Sequence, residues 1–141
     1  MKIYIGSDHA GFHLKEVLKK HLSKKHKVED CGTFDDKACD YPDFVFPVAE
    51  KVAQDKVSRG IILGGSGQGE AIAANRVNGI RAAAYYGGNL DIIKLSRTHN
   101  NANMLSLGAR FLTDEQAIEA VQLWLDTEFA GEERHGRRIQ D

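Results

Sequence analysis

Five short apolar runs alternate with segments of helical period along the chain, and that alternation leaves few folds open to it. The runs are Ile3-Tyr4-Ile5, Val28 to Gly32, Gly60 to Leu63, Arg81 to Tyr85 and Met104 to Leu107. Between the first two, Leu14, Val17, Leu18, His21 and Leu22 share one face of a helix, with Lys15, Lys19 and Lys20 read as solvated positions. Asp40-Tyr41-Pro42-Asp43 opens a second helix running to about Gln54, with Pro42 near its first position. Asn89 to Ser96 reads as a further helix. Thr113 to Gln116 forms a capping box for a last one, whose apolar stripe continues through Ala117, Val121, Trp124 and Leu125. Repeated strand–helix units predict an α/β fold: a three-layer α/β/α Rossmann-like domain spanning 1–141, with a five-stranded parallel sheet.

The most informative stretch inside this frame is Gly64-Gly65-Ser66-Gly67-Gln68-Gly69-Glu70, which holds four glycines in its first six residues. It stands where a strand hands over to the helix expected over Ala71 to Arg76. Converging N–H groups and a helix dipole there favour an anion. The run nevertheless ends in a carboxylate, Glu70, which a plain phosphate cradle would avoid. A carboxylate beside an anion hole suits chemistry that removes a proton and stabilises the resulting oxyanion. A place at the start of a helix should lower the Glu70 pKa, a cost the hole must offset. Ligands of open α/β sheets bind beyond the carboxyl ends of the strands. Three polar clusters fall there: Ser7-Asp8-His9, the glycine run and Gly108-Ala109-Arg110.

Composition narrows the partners. A formal net charge of −1 over 141 residues argues against a broad nucleic-acid surface. No apolar stretch is long enough to span a membrane, and the first residues read as strand rather than signal peptide. The two cysteines, Cys31 and Cys39, are read as reduced thiols, which gives a cytoplasmic expectation. Neither has a neighbour at zinc spacing, so a structural metal is not expected. Taken singly, Asp8 fits a helix cap as well as a catalytic role, His99 a satisfied loop histidine, and the arginines of residues 131–141 a solvated tail.

Taken together, the segments resemble the ribose-5-phosphate isomerase B family, which includes galactose-6-phosphate isomerase subunits. The matching pieces are Gly6 to Gly11, Asp40-Tyr41-Pro42, Gly64 to Glu70 with Ala73-Ala74-Asn75, His99 to Asn103, Gly108-Ala109-Arg110 and Arg134 to Ile139. Any one of these is unspecific; six in order are not. The resemblance implies aldose–ketose isomerisation of a sugar phosphate, ribose 5-phosphate to ribulose 5-phosphate, through an enediolate and without metal or cofactor. It also implies a homodimer with shared active sites, a tetramer being the alternative assembly, and a 131–141 tail contributing to the phosphate site or the dimer.

Many family members carry a cysteine base where this chain has Gly64, whereas another branch places a glutamate six positions later, as Glu70 does here. The thiols should therefore be dispensable unless Cys31 or Cys39 lines the site. On this reading Glu70 moves the proton between C2 and C1, and His99 of a partner subunit opens the sugar ring. Asp8 orients or exchanges a hydroxyl proton, and Ser66 serves O1 and O2. Gly65, Gly67, Gln68 and Gly69 belong to the oxyanion loop. His9, Arg110, Arg134 and Arg138 take the phosphate, with Arg137 facing elsewhere, and Tyr41 and Asn100 meet sugar hydroxyls. Asn103 belongs to the framework, and Tyr85 to Asn89 is the place to look for altered sugar length.

Rival readings fail on particular residues. No Gly-x-Gly-x-x-Gly opens a helix after a strand, no Gly-Lys-Ser/Thr follows the loop, and Gln68 stands where a serine hydrolase needs glycine. Two alternatives stay open: an isomerase of a six-carbon sugar phosphate such as allose or galactose 6-phosphate, and a non-catalytic sugar-phosphate-binding protein.

Overall fold

In the computed structural model, which describes residues 1–140, the five expected strands form one parallel sheet. They are β1 (Lys2–Ser7), β2 (Lys27–Asp30), β3 (Arg59–Gly64), β4 (Ala82–Tyr85) and β5 (Met104–Gly108), in the order β2-β1-β3-β5-β4. The helices are α1 (Phe12–Leu22), α2 (Pro42–Gln54), α3 (Gln68–Ala74), α4 (Asp91–Thr98), α5 (Asp114–Asp126) and α6 (Glu133–Gln140). Short 3-10 turns, His9–Gly11 and Ala109–Phe111, follow β1 and β5.

The alternation of side chains across the three central strands builds two cores. Ile3, Ile5, Ile61, Leu63, Leu105 and Leu107 face one way, against Leu14, Leu18 and Leu22 of α1 and Val121 and Trp124 of α5. Ile62 and Met104 face the other way, against Val45, Val48 and Val52 of α2 and Ala73 and Ala74 of α3. Truncating one such fully buried aliphatic side chain to alanine costs about 2–5 kcal/mol. The outer strands are the polar β2 and the alanine-rich β4, as suits strands paired on one side only.

Several boundaries moved. β2 stops at Asp30 because its carboxylate accepts the Gly32 N–H at 2.8 Å and turns the chain out of the sheet. Helix α4 starts two residues late, at Asp91, where Asn89 Oδ1 accepts the Asp91 N–H. Helix α3 starts inside the glycine run, because Gly67 adopts φ +78°, a left-handed conformation open chiefly to glycine. Its carbonyl accepts the buried Ser106 hydroxyl at 2.6 Å, which ties the loop to β5. The capping box forms as expected, with Gln116 N–H on Thr113 Oγ1 and Thr113 N–H on Gln116 Oε1.

Two readings of side chains need correction. Lys15, expected in solvent, is fully buried, with its ammonium 2.5 Å from Asp30. The 131–141 arginines do not lie in a free tail: residues 133–140 form α6, which docks His135 against His99.

Candidate active site

Because all strands are parallel, their carboxyl ends share one edge of the sheet. The strand order reverses there between β1 and β3, which is where ligands of such sheets bind. Asp8, just past β1, is 8% exposed, and its Oδ1 accepts the N–H groups of Ala10 and Gly11 at 2.9 and 3.2 Å. The capping role is therefore real. The backbone around it is pinned on both sides: Ser7 N–H donates to Gly32 O and Thr33 N–H to Ser7 O, each at 2.7 Å, while Asp8 N–H reaches Leu63 O.

Past β3, the glycines leave room that other groups fill. A Cβ on Gly64 would fall onto the Glu70 carboxylate. One on Gly65 would stand 3.1 Å from the Arg110 guanidinium carbon, and one on Gly69 would stand 2.9 Å from the Tyr41 hydroxyl. Arg110 N–H also donates to Gly65 O at 3.1 Å. Glu70, Arg110 and Tyr41 thus converge on the loop because the loop has no side chains there. Ser66 Oγ accepts Gln68 N–H at 3.2 Å and stays half-buried at the rim.

Glu70 is 4% exposed, and its Oε2 lies buried without a hydrogen-bond partner. Burial raises its pKa, the nearby Asp8 carboxylate adds to the rise, and the N–H groups of Glu70 and Gly67 offset it only in part. The expected depression by a helix start is therefore overturned: desolvation outweighs the dipole of a seven-residue helix. The raised pKa follows from burial rather than from the loop.

His9 is held differently from a simple cation. Its Nδ1 accepts the Cys39 N–H at 3.2 Å, so this nitrogen carries no proton and the ring offers Nε2–H. Cys39 Sγ sits 3.9 Å from the same nitrogen, which brings one thiol to the rim of the site. Cys31 is half-buried, and burial pushes its thiol pKa up.

The remaining candidates lie elsewhere. Helix α4 runs back against the strand direction and ends at His99, and residues 100–103 lead into the start of β5. His99 and Asn100 are exposed at the amino edge, separated from Glu70 by the length of β5, about 13 Å at 3.3 Å per residue. Arg134 and Arg138 belong to the same edge, since α6 stacks His135 on His99 with ring centroids 4.2 Å apart and 18° between planes. Burial, then His99 and Arg134, lower the His135 pKa. Arg134 pairs with Glu132 at 3.2 Å, and Arg137 is turned to Glu133 at 3.3 Å.

Beneath this edge, the buried Arg97 donates to Thr127 O, Asn101 Oδ1 and Ala102 O at 2.8–2.9 Å, fixing the loop that carries His99. Asn103 fills a framework place as expected, accepting Arg81 N–H and donating to Gly79 O. One chain therefore brings Asp8, His9, Tyr41, the glycine loop, Glu70 and Arg110 together, and keeps His99, Asn100, Arg134 and Arg138 apart from them. Sequence reasoning quoted His135 within a motif and gave it no part. Its position between two arginines on one helix was the available signal. Among the described residues, no three His, Cys, Asp or Glu side chains gather as a metal site requires.

Comparison with known proteins bears on this geometry directly. The sequence model of the ribose/galactose isomerase family matches residues 3–141. A ribose-5-phosphate isomerase B of Mycolicibacterium paratuberculosis is 43% identical, over 99% of this chain and 87% of its own. Among solved structures, the Clostridium thermocellum ribose-5-phosphate isomerase B superposes with a TM-score of 0.94 at 45% identity, covering 99% of this chain and 93% of that one. The Mycoplasma genitalium ribose-5-phosphate isomerase B, solved with bound ribulose 5-phosphate, gives 0.92 at 42% identity, covering 99% and 91%. With its sheet order, its glycine loop and these relatives in agreement, the chain belongs to the ribose/galactose isomerase family.

Proposed function

We propose that the protein interconverts ribose 5-phosphate and ribulose 5-phosphate, with Glu70 as the proton-transferring base. The observation that carries this reading is the Glu70 carboxylate itself: buried, short of hydrogen bonds, and seated in the gap left by Gly64 beside Asp8. A raised pKa makes a carboxylate a better base near neutral pH. Glu70 takes the C2 proton of the open aldose, and the electrons of that bond form the C1–C2 double bond of an enediolate. Returning the proton to C1 completes the ketose, while Ser66 carries a proton between O1 and O2. The N–H groups of the Gly65–Gly69 loop meet the developing oxyanion, with the Gly67 N–H also engaged by Glu70. Such donors are worth on the order of 3 kcal/mol each when removed in other enzymes.

Asp8 accepts from a sugar hydroxyl, Tyr41 and Asn100 contact others, and His99 protonates the ring oxygen on opening. The phosphate is met by the Nε2–H of His9 and the guanidinium groups of Arg110, Arg134 and Arg138, whose planar forks suit its oxygens. The separation of His99, Arg134 and Arg138 from Glu70 by the length of the sheet supports a homodimer in which each site draws its second half from the partner. No helix of the described residues is long and apolar enough to cross a membrane, which fits a protein meeting its substrate in solution.

The test is ketose formation from ribose 5-phosphate by chelator-treated protein, beside Glu70→Gln. Turnover that collapses in the variant supports the base. Activity kept by Glu70→Gln removes it, and a silent wild type directs the search to a six-carbon sugar phosphate. Mixing Glu70→Gln chains with His99→Gln chains tests the sharing. Random pairing should restore about a quarter of the activity, since half the dimers carry one intact site. No recovery on mixing sinks the shared site.

A further inference from the structure

The one lysine that the helical pattern misplaces stands at the head of a chain of contacts that ends in the active site. Lys15 is fully buried in α1, with its ammonium lodged between the rings of Phe12 and Phe34 at 5.4 and 5.6 Å. It donates to Asp30 Oδ2 at 2.5 Å and to Glu16 Oε1 at 3.1 Å, and Lys19 reaches the same Asp30 oxygen at 2.8 Å. The other oxygen of Asp30 accepts the Gly32 N–H. Gly32 O in turn accepts Ser7 N–H, and Ser7 O accepts Thr33 N–H, so the residue before Asp8 is gripped from both sides. The segment that leaves Thr33 returns at Cys39, whose N–H sets the His9 ring, and at Tyr41, which packs on Gly69.

We propose that Lys15 and Asp30 are positioning residues for the reaction: the buried ion pair anchors the loop of residues 31–41 and through it fixes Asp8 and His9 toward the substrate. The proposal rests on the roles given above to Asp8 and His9. Physics favours this over a purely stabilising part. A buried ion pair contributes little net stability compared with an apolar pair of the same volume, because desolvation consumes most of the attraction. What it supplies instead is direction. The 12% exposed Asp30 carboxylate can accept from Gly32 only in the orientation its two lysines allow. Phe34, 71% exposed, lays its ring over the ammonium and belongs to the same device.

The experiment is a double-mutant cycle on the full chain with Lys15→Met, His9→Ala and the pair, reading kcat, KM and inhibition by inorganic phosphate, with melting temperature alongside. Lys15→Met is expected to lower kcat/KM on the order of 10- to 100-fold, the size that follows from a misplacement of about 1 Å. It should also weaken phosphate inhibition. In the His9→Ala background Lys15→Met should weaken phosphate inhibition little further, because that part of its effect runs through His9. A role in stability alone would lower the melting temperature and leave the penalties additive. Additive penalties, or a Lys15→Met enzyme within about two-fold of wild type, overturn the proposal. Phe34→Ala, at an exposed position, keeps the test open if Lys15→Met does not fold. It should raise KM, and unchanged kinetics there count against the strut. Full activity in both His9→Ala and Asp8→Asn is a different failure: it removes the roles of those two residues and with them the purpose of the anchor.

Discussion

In the proposed dimer, the two edges of the sheet supply complementary halves of a site built on opposite principles. At the carboxyl edge the two carboxylates, Asp8 and Glu70, are buried, and Glu70 Oε2 and Ser7 Oγ lie buried without hydrogen bonds. At the amino edge His99, Arg134 and Arg138 are exposed, and only the supports beneath them, Arg97 and His135, are buried. The first half is finished before substrate arrives and holds strain against folding. The second is presented outward and costs the fold little. A reacting carboxylate needs a dry, fixed place, whereas a phosphate grip and a ring-opening acid can be delivered by a second chain.

The largest effect should come from the buried half. Glu70→Gln is expected to lower kcat by 10²–10⁴-fold, the usual contribution of a positioned base. Stability should move the other way with pH. A carboxyl whose folded pKa is raised contributes stability below its unfolded value near 4.5 and loses it as pH rises through the folded pKa. The melting temperature of Glu70→Gln relative to wild type should therefore climb as pH rises above 4.5. A flat difference would mean that the buried half stores no such strain. Next, Gly64→Ala should cost on the order of 100-fold in kcat by displacing the carboxylate, with a correctly folded chain by circular dichroism.

In the exposed half, His135→Ala removes the ring beneath His99 and should cost on the order of 10-fold in kcat/KM, with KM rising because α6 carries Arg134 and Arg138, the arginines proposed for the phosphate. The acid limb of stability divides the carboxyl edge itself, since Asp30 responds to pH in the opposite sense to Glu70. Asp30 is held below its ordinary pKa, since hydrogen bonds from Lys15, Lys19 and Gly32 outweigh the rise that burial brings. Its contribution is present above about pH 3.8 and lost below it, so Asp30→Asn should unfold with a shallower acid transition. Smallest of all, Arg137→Ala should change kcat/KM by less than about two-fold, its charge being spent on Glu133. A large loss there would mean that α6 meets substrate with a different face.

What the sequence revealed followed the range of the forces involved. Strand positions, the capping box and the glycine turn depend on neighbours within a few residues, and they were legible. The clustering of Asp8, the glycine loop and Arg110 was also legible, because a parallel sheet sends every strand end to one edge. Lys15 was misread, though it lies three and seven residues before Leu18 and Leu22, at the margin of the apolar stripe. Periodicity cannot announce the carboxylate fifteen residues on that makes its burial tolerable. The Glu70 pKa was misjudged because the helix start is local and visible, while desolvation depends on the closure of β1, β3 and α3 around it. His135 needed the docking of α6 before its stacking partner could be known.

The overlap at Gly64 has a historical side. One volume at the end of β3 accommodates either a side chain rooted at position 64 or the carboxylate reaching back from position 70. A lineage exchanging a carboxylate base for a thiol base cannot acquire the second while keeping the first in place. Gly64→Cys alone should be a crippled ancestor, and shortening Glu70 alone an inactive one. A change at either position must therefore be answered at the other, and the glycine is as much part of the arrangement as the acid it makes room for.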